Sequence, residues 1–572
     1  ATTPRATVTA TVLGQAFTRQ VAVLADPSLP GPFPVGEHEY PNSIDTDNGS
    51  ITVVSPIGNI VVRRKALVRY PAASAGLDRP VATTKPRYPL VFILHGNHRR
   101  KRGGVFVESF RGHEPLARHL ASHGYVAVSI DGDDINQHVD AAGPLITQRG
   151  EIIRRHIAFM TARNATHRLF RGKLDLSRIG LIGHSRGGEG VVAAQSQNVS
   201  GGLGLGIKAL VSIAPTTAMG LTPAAPYLVL YGSSDGDVSA EDDSVNPFVL
   251  YDAAPPPKAM WFIHGAIHNR FSTNADWQIP LLIDNDDGRM LSLAQHQSIA
   301  LGFCRAFMER QVLDDAAFDL FFDHGERPAS VSAVEMHPQV RVPGARVVDN
   351  FEQPAPDLTV PLEQQLADRA ATNTLTLAVT GPDLSLPEPR QPGSPAFAGP
   401  LTEASLKLAD TAFFPHATSG ALLAWSSATA QYRTELGGVD ATSFQVLSFR
   451  VGQRHASPRN TPGAAQDFFV VLTDSGGRTA EVQVSTRATI PAPFVRHDHA
   501  GLGHPTIPGS AIFWSPDVPA LTRSPLRTVR LRLDDFKAAN PALDMTTLQR
   551  VTFAFRQTPQ GEIAIDDIEF SL

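Results

Sequence analysis

Three side chains in this sequence have the types and the chain order of a nucleophile, an acid and a base. They are Ser185 in "GHSRG" (183–187), Asp235 in "GSSDGDV" (232–238) and His268 in "HGAIHNRF" (264–271). A serine hydroxyl is a weak nucleophile until a base removes its proton, and an imidazole serves as that base when a carboxylate holds its ring. The pattern G-x-S-x-G alone decides little, because it also occurs as "GSSDG" at 232–236. Context separates the two. A nucleophile elbow needs a strand that stops, a strained turn and a helix that begins at once. "RIGLI" leads into Ser185 and "GEGVVAAQ" follows it. The positive end of such a helix favours a developing oxyanion. "DVSAEDDSVNP" after the second match is no helix opening toward a core, so that match reads as the loop carrying the acid.

The acid is Asp235, three residues past Gly232, with Asp237 as the alternative. The base is His268, because three residues of loop let it fold back over the serine, whereas His264 sits at a strand end. Two backbone N–H groups complete the set: that of Arg186, after the nucleophile, and that of Asn97 in "LVFILHGNHRR". His95, His98 and His184 flank these positions and are candidate substrate contacts.

The elements that must position these groups are visible as short apolar runs. They are "YPLVFIL" (88–94), "GYVAVSI" (124–130), "RIGLIG" (178–183), "IKALVSI" (207–213), "PYLVLY" (226–231) and "KAMWFI" (258–263). They hardly alternate, as strands covered on both faces do not. Helical patterns lie between them, in "HEPLARHLASHG", "GEIIRRHIAFMTARNATHRLF", the stretch after Ser185 and "LSLAQHQSIALGFCRAFMERQVL". Such alternation predicts a doubly wound, mostly parallel sheet with its ligand site at the carboxyl edge.

The chain has 572 residues, beyond a single core, and divides by its grammar. The reading is an N-terminal strand and loop segment at 1–50, a catalytic domain at 51–325, a linker at 326–344 and an all-β sandwich at 345–572. The last part alternates in "SFQVLSFRVGQ", "DFFVVLTDSGGRTAEVQVST", "LRTVRLRLDDF", "QRVTFAFRQ" and "EIAIDDIEF". A net charge of −5 gives no pull toward nucleic acid, and no apolar run is long enough to span a bilayer. One cysteine, Cys304, excludes an internal disulfide and reads as a buried thiol. The small, polar opening "ATTPRATVTATV" suits a processed export product, so a secreted or periplasmic location is expected.

With these motifs in place, residues 30–325 resemble α/β-hydrolases of the cutinase-like polyesterase and chlorophyllase groups. The likeness rests on "GHSRGG" (183–188), the strand with "HGN" (91–97), "YGSSDGDV" (231–238) and "GAIH" (265–268), with "GPFPVGEHEY" and "ALVRYP" as leading strands. The resemblance implies Ser185 as nucleophile, His268 as base, Asp235 as its orienter and Asn97 and Arg186 as oxyanion donors. It implies no catalytic cofactor. Bacterial polyesterases usually carry a disulfide late in this domain and often an aromatic after the oxyanion-loop glycine. Here there is one cysteine, and Asn97 stands at the second position. The C-terminal part resembles jelly-roll modules of secreted hydrolases, through "VVDNFE" and "IAIDDIEF". That implies a glycan or surface ligand, and a structural Ca²⁺ at Asp349, Asp566 and Asp567 if the first and last strands pair.

The expected function is a serine carboxylic-ester hydrolase acting through an acyl-enzyme on a polyester or lipid-like ester. The same triad would serve an amidase or peptidase, and an inert relative would be a binding protein. Other features are secondary. The basic run Arg99–Arg102 is a surface loop or a grip on an anionic substrate. "IDGDDIN" is a hydrogen-bonded turn that shapes the pocket or holds a cation. "GGLGLG" (201–206) precedes a strand and fails as a phosphate loop. "DNDDGRM" (284–290) is a loop and candidate flap.

Overall fold

Strands with apolar residues at every position need cover on both sides, and the chain supplies it. Tyr88–Leu94, Val126–Ile130, Tyr227–Gly232 and Lys258–Ile263 are buried along their whole length. The computed structural model describes residues 5–12, 15–22, 24–42, 49–98, 101–102, 105–240, 243–274, 290–323, 325–351, 402–405, 416–426, 428, 430–454, 457–495 and 522–572. The chain divides into two compact units, Ala1–Met336 and His337–Leu572.

The first unit is built on a mixed sheet. Its strands are β1 (Val35–Tyr40), β2 (Ala66–Pro71), β3 (Tyr88–Leu94), β4 (Val126–Ile130), β5 (Leu174–His184), β6 (Ile207–Ile213), β7 (Tyr227–Gly232) and β8 (Lys258–Ile263). They lie in the order β8-β7-β6-β5-β3-β4-β2-β1. All neighbours from β8 to β4 are parallel, and β2 runs antiparallel to both of its neighbours, β4 and β1. The reversal of order at β3, β4 and β5 is the topological switch where a crevice opens beyond the strand ends. Among the helices that cover the sheet are α1 (Glu114–Ser122), α2 (Ile146–Thr166), α3 (Arg186–Ser200) and α4 (Leu293–Val312). α2 packs on α3 and α1 on α4, while α3 and α4 both touch β5 and β6. Phe92, Leu181, Val191 and Leu210 are members of one apolar cluster. Each such side chain contributes roughly 1.5–3 kcal/mol by leaving water. Cys304 is fully buried in α4, and burial raises its thiol pKa.

The segment 1–50, read as strand and loop, contributes β1, which pairs with β2 over six residues. The antiparallel hairpin Arg5–Val12 with Gln15–Ala22 is its other described element. The stretch read as a linker, 326–344, is ordered: it holds a 3₁₀ turn at Ala329–Val331 and a strand at Met336–Arg341, and the division between units falls inside it.

The second unit is antiparallel. Its strands are β9 (Arg346–Asp349), β10 (Thr402–Ser405), β11 (Ser419–Trp425), β12 (Gln431–Val439), β13 (Val446–Gln453), β14 (Phe469–Asp474), β15 (Thr479–Gln483), β16 (Arg527–Arg532), β17 (Leu548–Ala554) and β18 (Gly561–Ser571). One sheet runs β10-β11-β18-β13-β16 with β9 also on β18, and the other runs β12-β17-β14-β15. Phe449, Leu531 and Ile565 of the first and Val470, Val551 and Phe553 of the second belong to one apolar cluster.

The carboxylates expected to hold Ca²⁺ have other partners. β9 does pair with the last strand, β18. Yet Arg450 Nη1 lies 3.0 Å from Asp566 Oδ2, and Arg341 Nη1 lies 2.9 Å from Asp567 Oδ1. Asp349 Oδ1 accepts the N–H of Phe351. Arginine forks neutralise two of the three charges, and among the described residues these carboxylates are not one of the groups whose ligand atoms converge.

Candidate active site

Ser185 stands at the junction of β5 and α3 with φ 56° and ψ −128°. A non-glycine residue in this region costs on the order of 1–3 kcal/mol and persists only where its surroundings enforce it. The surroundings here are close. The Ser185 N–H donates to Ile213 O at 2.9 Å, and its own carbonyl accepts the Gly188 N–H at 2.8 Å. A Cβ on Gly183 would lie 2.0 Å from Gly187 O, and one on Gly187 would lie 2.2 Å from Leu94 O. Both flanking glycines are therefore demanded by space.

The loop after β3 lies directly against the serine. A Cβ on Gly96 would sit 2.6 Å from Ser185 Cβ and 3.1 Å from Ser185 Oγ. This brings the 95–98 loop, with Asn97, to the nucleophile. The loop is braced from behind. Asn136 Nδ2 donates to the carbonyls of Gly96 (3.1 Å) and His98 (3.3 Å), and Arg149 Nη2 donates to Asn136 Oδ1 at 2.5 Å. Arg149 is fully buried, which lowers its pKa to about 9.

The acid and base loops leave β7 and β8 side by side and are laced together. Ser233 N–H donates to Ile263 O, Ser234 N–H to Ala266 O, and Gly265 N–H to Ser233 Oγ. Asp235 Oδ2 and His268 Nδ1 are 2.8 Å apart, and both residues are buried. Asp235 Oδ1 accepts the N–H groups of Asp237 and Val238 at 3.0 and 2.8 Å. An acceptor oxygen facing Nδ1 keeps the proton of a neutral imidazole there, which leaves Nε2 as the basic atom. Asp237 is placed differently: its Oδ2 lies 3.4 Å from His268 Nε2. His264 faces Glu335, with its Nδ1 3.3 Å from Oε2.

His184, the residue before Ser185, reaches the His268 loop. Its Nε2–H donates to the carbonyl of His268 at 3.1 Å, and the two rings are 4.6 Å apart. His98 and His113 pack on His184 in turn. Burial holds His98 and His184 well below the ordinary imidazole pKa and lowers His113 to about 3 and His95 to about 4. All of them are neutral at pH 7.

The three histidines read as substrate contacts thus take other roles in part. His95 Nδ1–H donates to Gly96 O and its Nε2 accepts the Gly132 N–H, so both ring nitrogens are engaged. His184 supports the base loop. His98 is buried and stacked on His95. His95, Asp131 and Asp133 bring ligand atoms within 4.8 Å of one another. They suit a cation poorly, since His95 Nε2 already has a donor and Lys65 Nζ lies 3.6 Å from Asp131 Oδ2. Of the basic run, Arg99 and Arg100 lie outside the described residues, as does 284–289 of the candidate flap.

Sequence reading also missed His296, in the first turn of α4. Its Nδ1–H donates to Ser292 O, and its Nε2 accepts the Ile267 N–H at 2.9 Å, fixing the residue before the base. An isolated histidine in an amphipathic helix gives no signal for that role.

A sheet of this order, with a serine at the turn after β5 and an aspartate–histidine pair after β7 and β8, fits the α/β-hydrolase fold. Residues 106–280 match the family model described as PET hydrolase-like (PETase), so the chain carries a PET hydrolase-like domain of that superfamily. The matched span contains Ser185, Asp235 and His268, and excludes the Asn97 loop and the second unit. No curated protein matches the chain. No helix among the described residues is long and apolar enough to cross a membrane.

Proposed function

We propose that this protein is a serine carboxylic-ester hydrolase that works through an acyl-enzyme. Ser185 Oγ attacks the ester carbonyl while His268 Nε2 takes its proton. The N–H groups of Arg186 and Asn97 hold the oxyanion. As the tetrahedral species collapses, the imidazolium gives its proton to the leaving alcohol. Water then enters, loses a proton to His268 and releases the acid, restoring the serine. Asp235 fixes the ring tautomer and balances the transient positive charge. These steps need no group beyond the chain's own residues.

The observation that carries this reading is the buried 2.8 Å contact of His268 Nδ1 with Asp235, beside a serine with strained φ at a helix start. We assign the second unit's two sheets to a jelly-roll-like sandwich serving a glycan or surface ligand. The test is labelling by a fluorophosphonate, with hydrolysis of p-nitrophenyl butyrate measured alongside. The wild-type protein is expected to label and turn over, and Ser185→Ala to do neither. Labelling of Ser185→Ala, or hydrolysis by it at the wild-type rate, removes the proposal. A chromogenic amide in the same assay separates an esterase from an amidase.

A further inference from the structure

Two carboxylates address the ring of His268, from opposite edges. Asp235 Oδ2 meets Nδ1 at 2.8 Å, and Asp237 Oδ2 lies 3.4 Å from Nε2. Their settings differ. The side chain of Asp235 is 0% exposed, whereas that of Asp237 is 47% exposed. Asp237 therefore stands on the solvent side of the nitrogen that would pass a proton to the leaving group. A departing alcohol must come to Nε2, and so must come beside this carboxylate.

Among the described residues, little on the neighbouring elements offsets the charge there. His184, His98 and His113, packed around the base from β5, the β3 loop and the segment before α1, are held neutral by burial. Arg270, two residues beyond the base, turns its guanidinium to the carbonyl of Leu291. Arg186, one residue after the nucleophile, interacts with Glu189 and Arg149. Asp235 adds a second negative charge behind the ring.

We propose that Asp237 is a specificity-determining residue that selects against esters whose alcohol part is anionic and admits neutral or cationic ones. The proposal rests on reading Ser185 and His268 as nucleophile and base. Like charges a few ångströms apart at a half-exposed site are expected to change relative rates about five- to tenfold. Because Asp237 is partly in water, that effect is screened by salt.

The test uses the full chain and two acetates with leaving groups of nearly equal shape, 4-carbamoylphenyl acetate and 4-carboxyphenyl acetate. The quantity read is the ratio of kcat/KM for the anionic ester to that for the neutral one. Asp237→Asn is expected to raise the ratio about five- to tenfold. In the unaltered protein the ratio is expected to rise as ionic strength goes from about 0.01 M to about 1 M. The second measurement needs no variant and so does not depend on Asp237→Asn folding. Ser185→Ala, run in parallel, reads the underlying assignment separately. If it is inactive while the ratio is unmoved by both the Asp237 substitution and salt, the charge-selection proposal alone is overturned. If Ser185→Ala turns over either ester at the wild-type rate, both readings fall.

Discussion

At the scale of single residues, the distinction that matters is which ring nitrogen each aspartate meets. Spacing from Gly232 favours Asp235 and keeps Asp237 as the alternative, since only Gly236 separates them. The structure divides them by edge and by depth: Asp235 is buried against Nδ1, and Asp237 is half-exposed near Nε2. Asp235→Asn keeps the shape but puts a donor where Nδ1–H needs an acceptor, so the ring settles in the wrong tautomer. The expected outcome is a fall in kcat of about 10³–10⁴-fold with KM little changed, read from steady-state hydrolysis of a p-nitrophenyl ester. A fall below about tenfold would mean that Asp235 does not orient the base. Ser185, Asp235 and His268 were legible because their signals are local: glycines, a strand before and a short loop after. His296 and Asn136 were not, because their partners lie 29 and 40 residues away, at Ile267 and Gly96. Nothing in the residues around them encodes that meeting.

At the scale of elements, the strands were readable because their burial is uniform. Ile207–Ile213 and Lys258–Ile263 coincide with the apolar runs seen in the sequence. β5 is longer than its run, since Leu174 and Asp175 pair with Tyr88 and Pro89 before the apolar part begins. The helix α4 was legible as a helix, but its function as a clamp was not. His296→Leu would leave the Ile267 N–H buried without an acceptor, because Ile267 is fully enclosed. The expected cost is about 1–3 kcal/mol in a denaturant titration, accompanied by a drop in kcat as the base loop loosens. Loss of stability without change in kcat would show that the clamp holds the fold and not the base. The partners of Asp349, Asp566 and Asp567, where Ca²⁺ was expected, were hidden for a similar reason. Pairing of the first and last strands was foreseeable, but the arrival of Arg450 from β13 was not.

At the scale of the whole molecule, the buried histidines of the first unit and Glu569 of the second couple stability to pH in opposite senses. In the first unit, burial lowers His95, His119 and His296 to about 4 and His113 and His156 to about 3. Their folded values lie below the unfolded value of ~6.5, so the unfolded chain binds more protons as pH falls. The stability they contribute is present above pH ~6.5 and is lost progressively as the pH drops toward 4 and 3. In the second unit, burial raises Glu569 to about 7. Its contribution is complete below the ordinary carboxyl pKa and is lost as pH rises through 7. Calorimetry from pH 7.5 to pH 5 should therefore lower the first unit's transition and raise, or hold, the second's. A parallel fall of both would contradict this assignment. The division at Met336 and His337 makes separate transitions the expected behaviour. The lone sulfhydryl of Cys304 adds a built-in clock. Sealed inside α4, it can meet a disulfide reagent only when that helix opens. The colour released on mixing then times the opening of the hydrolase unit, with no engineered probe and no second thiol to blur the signal.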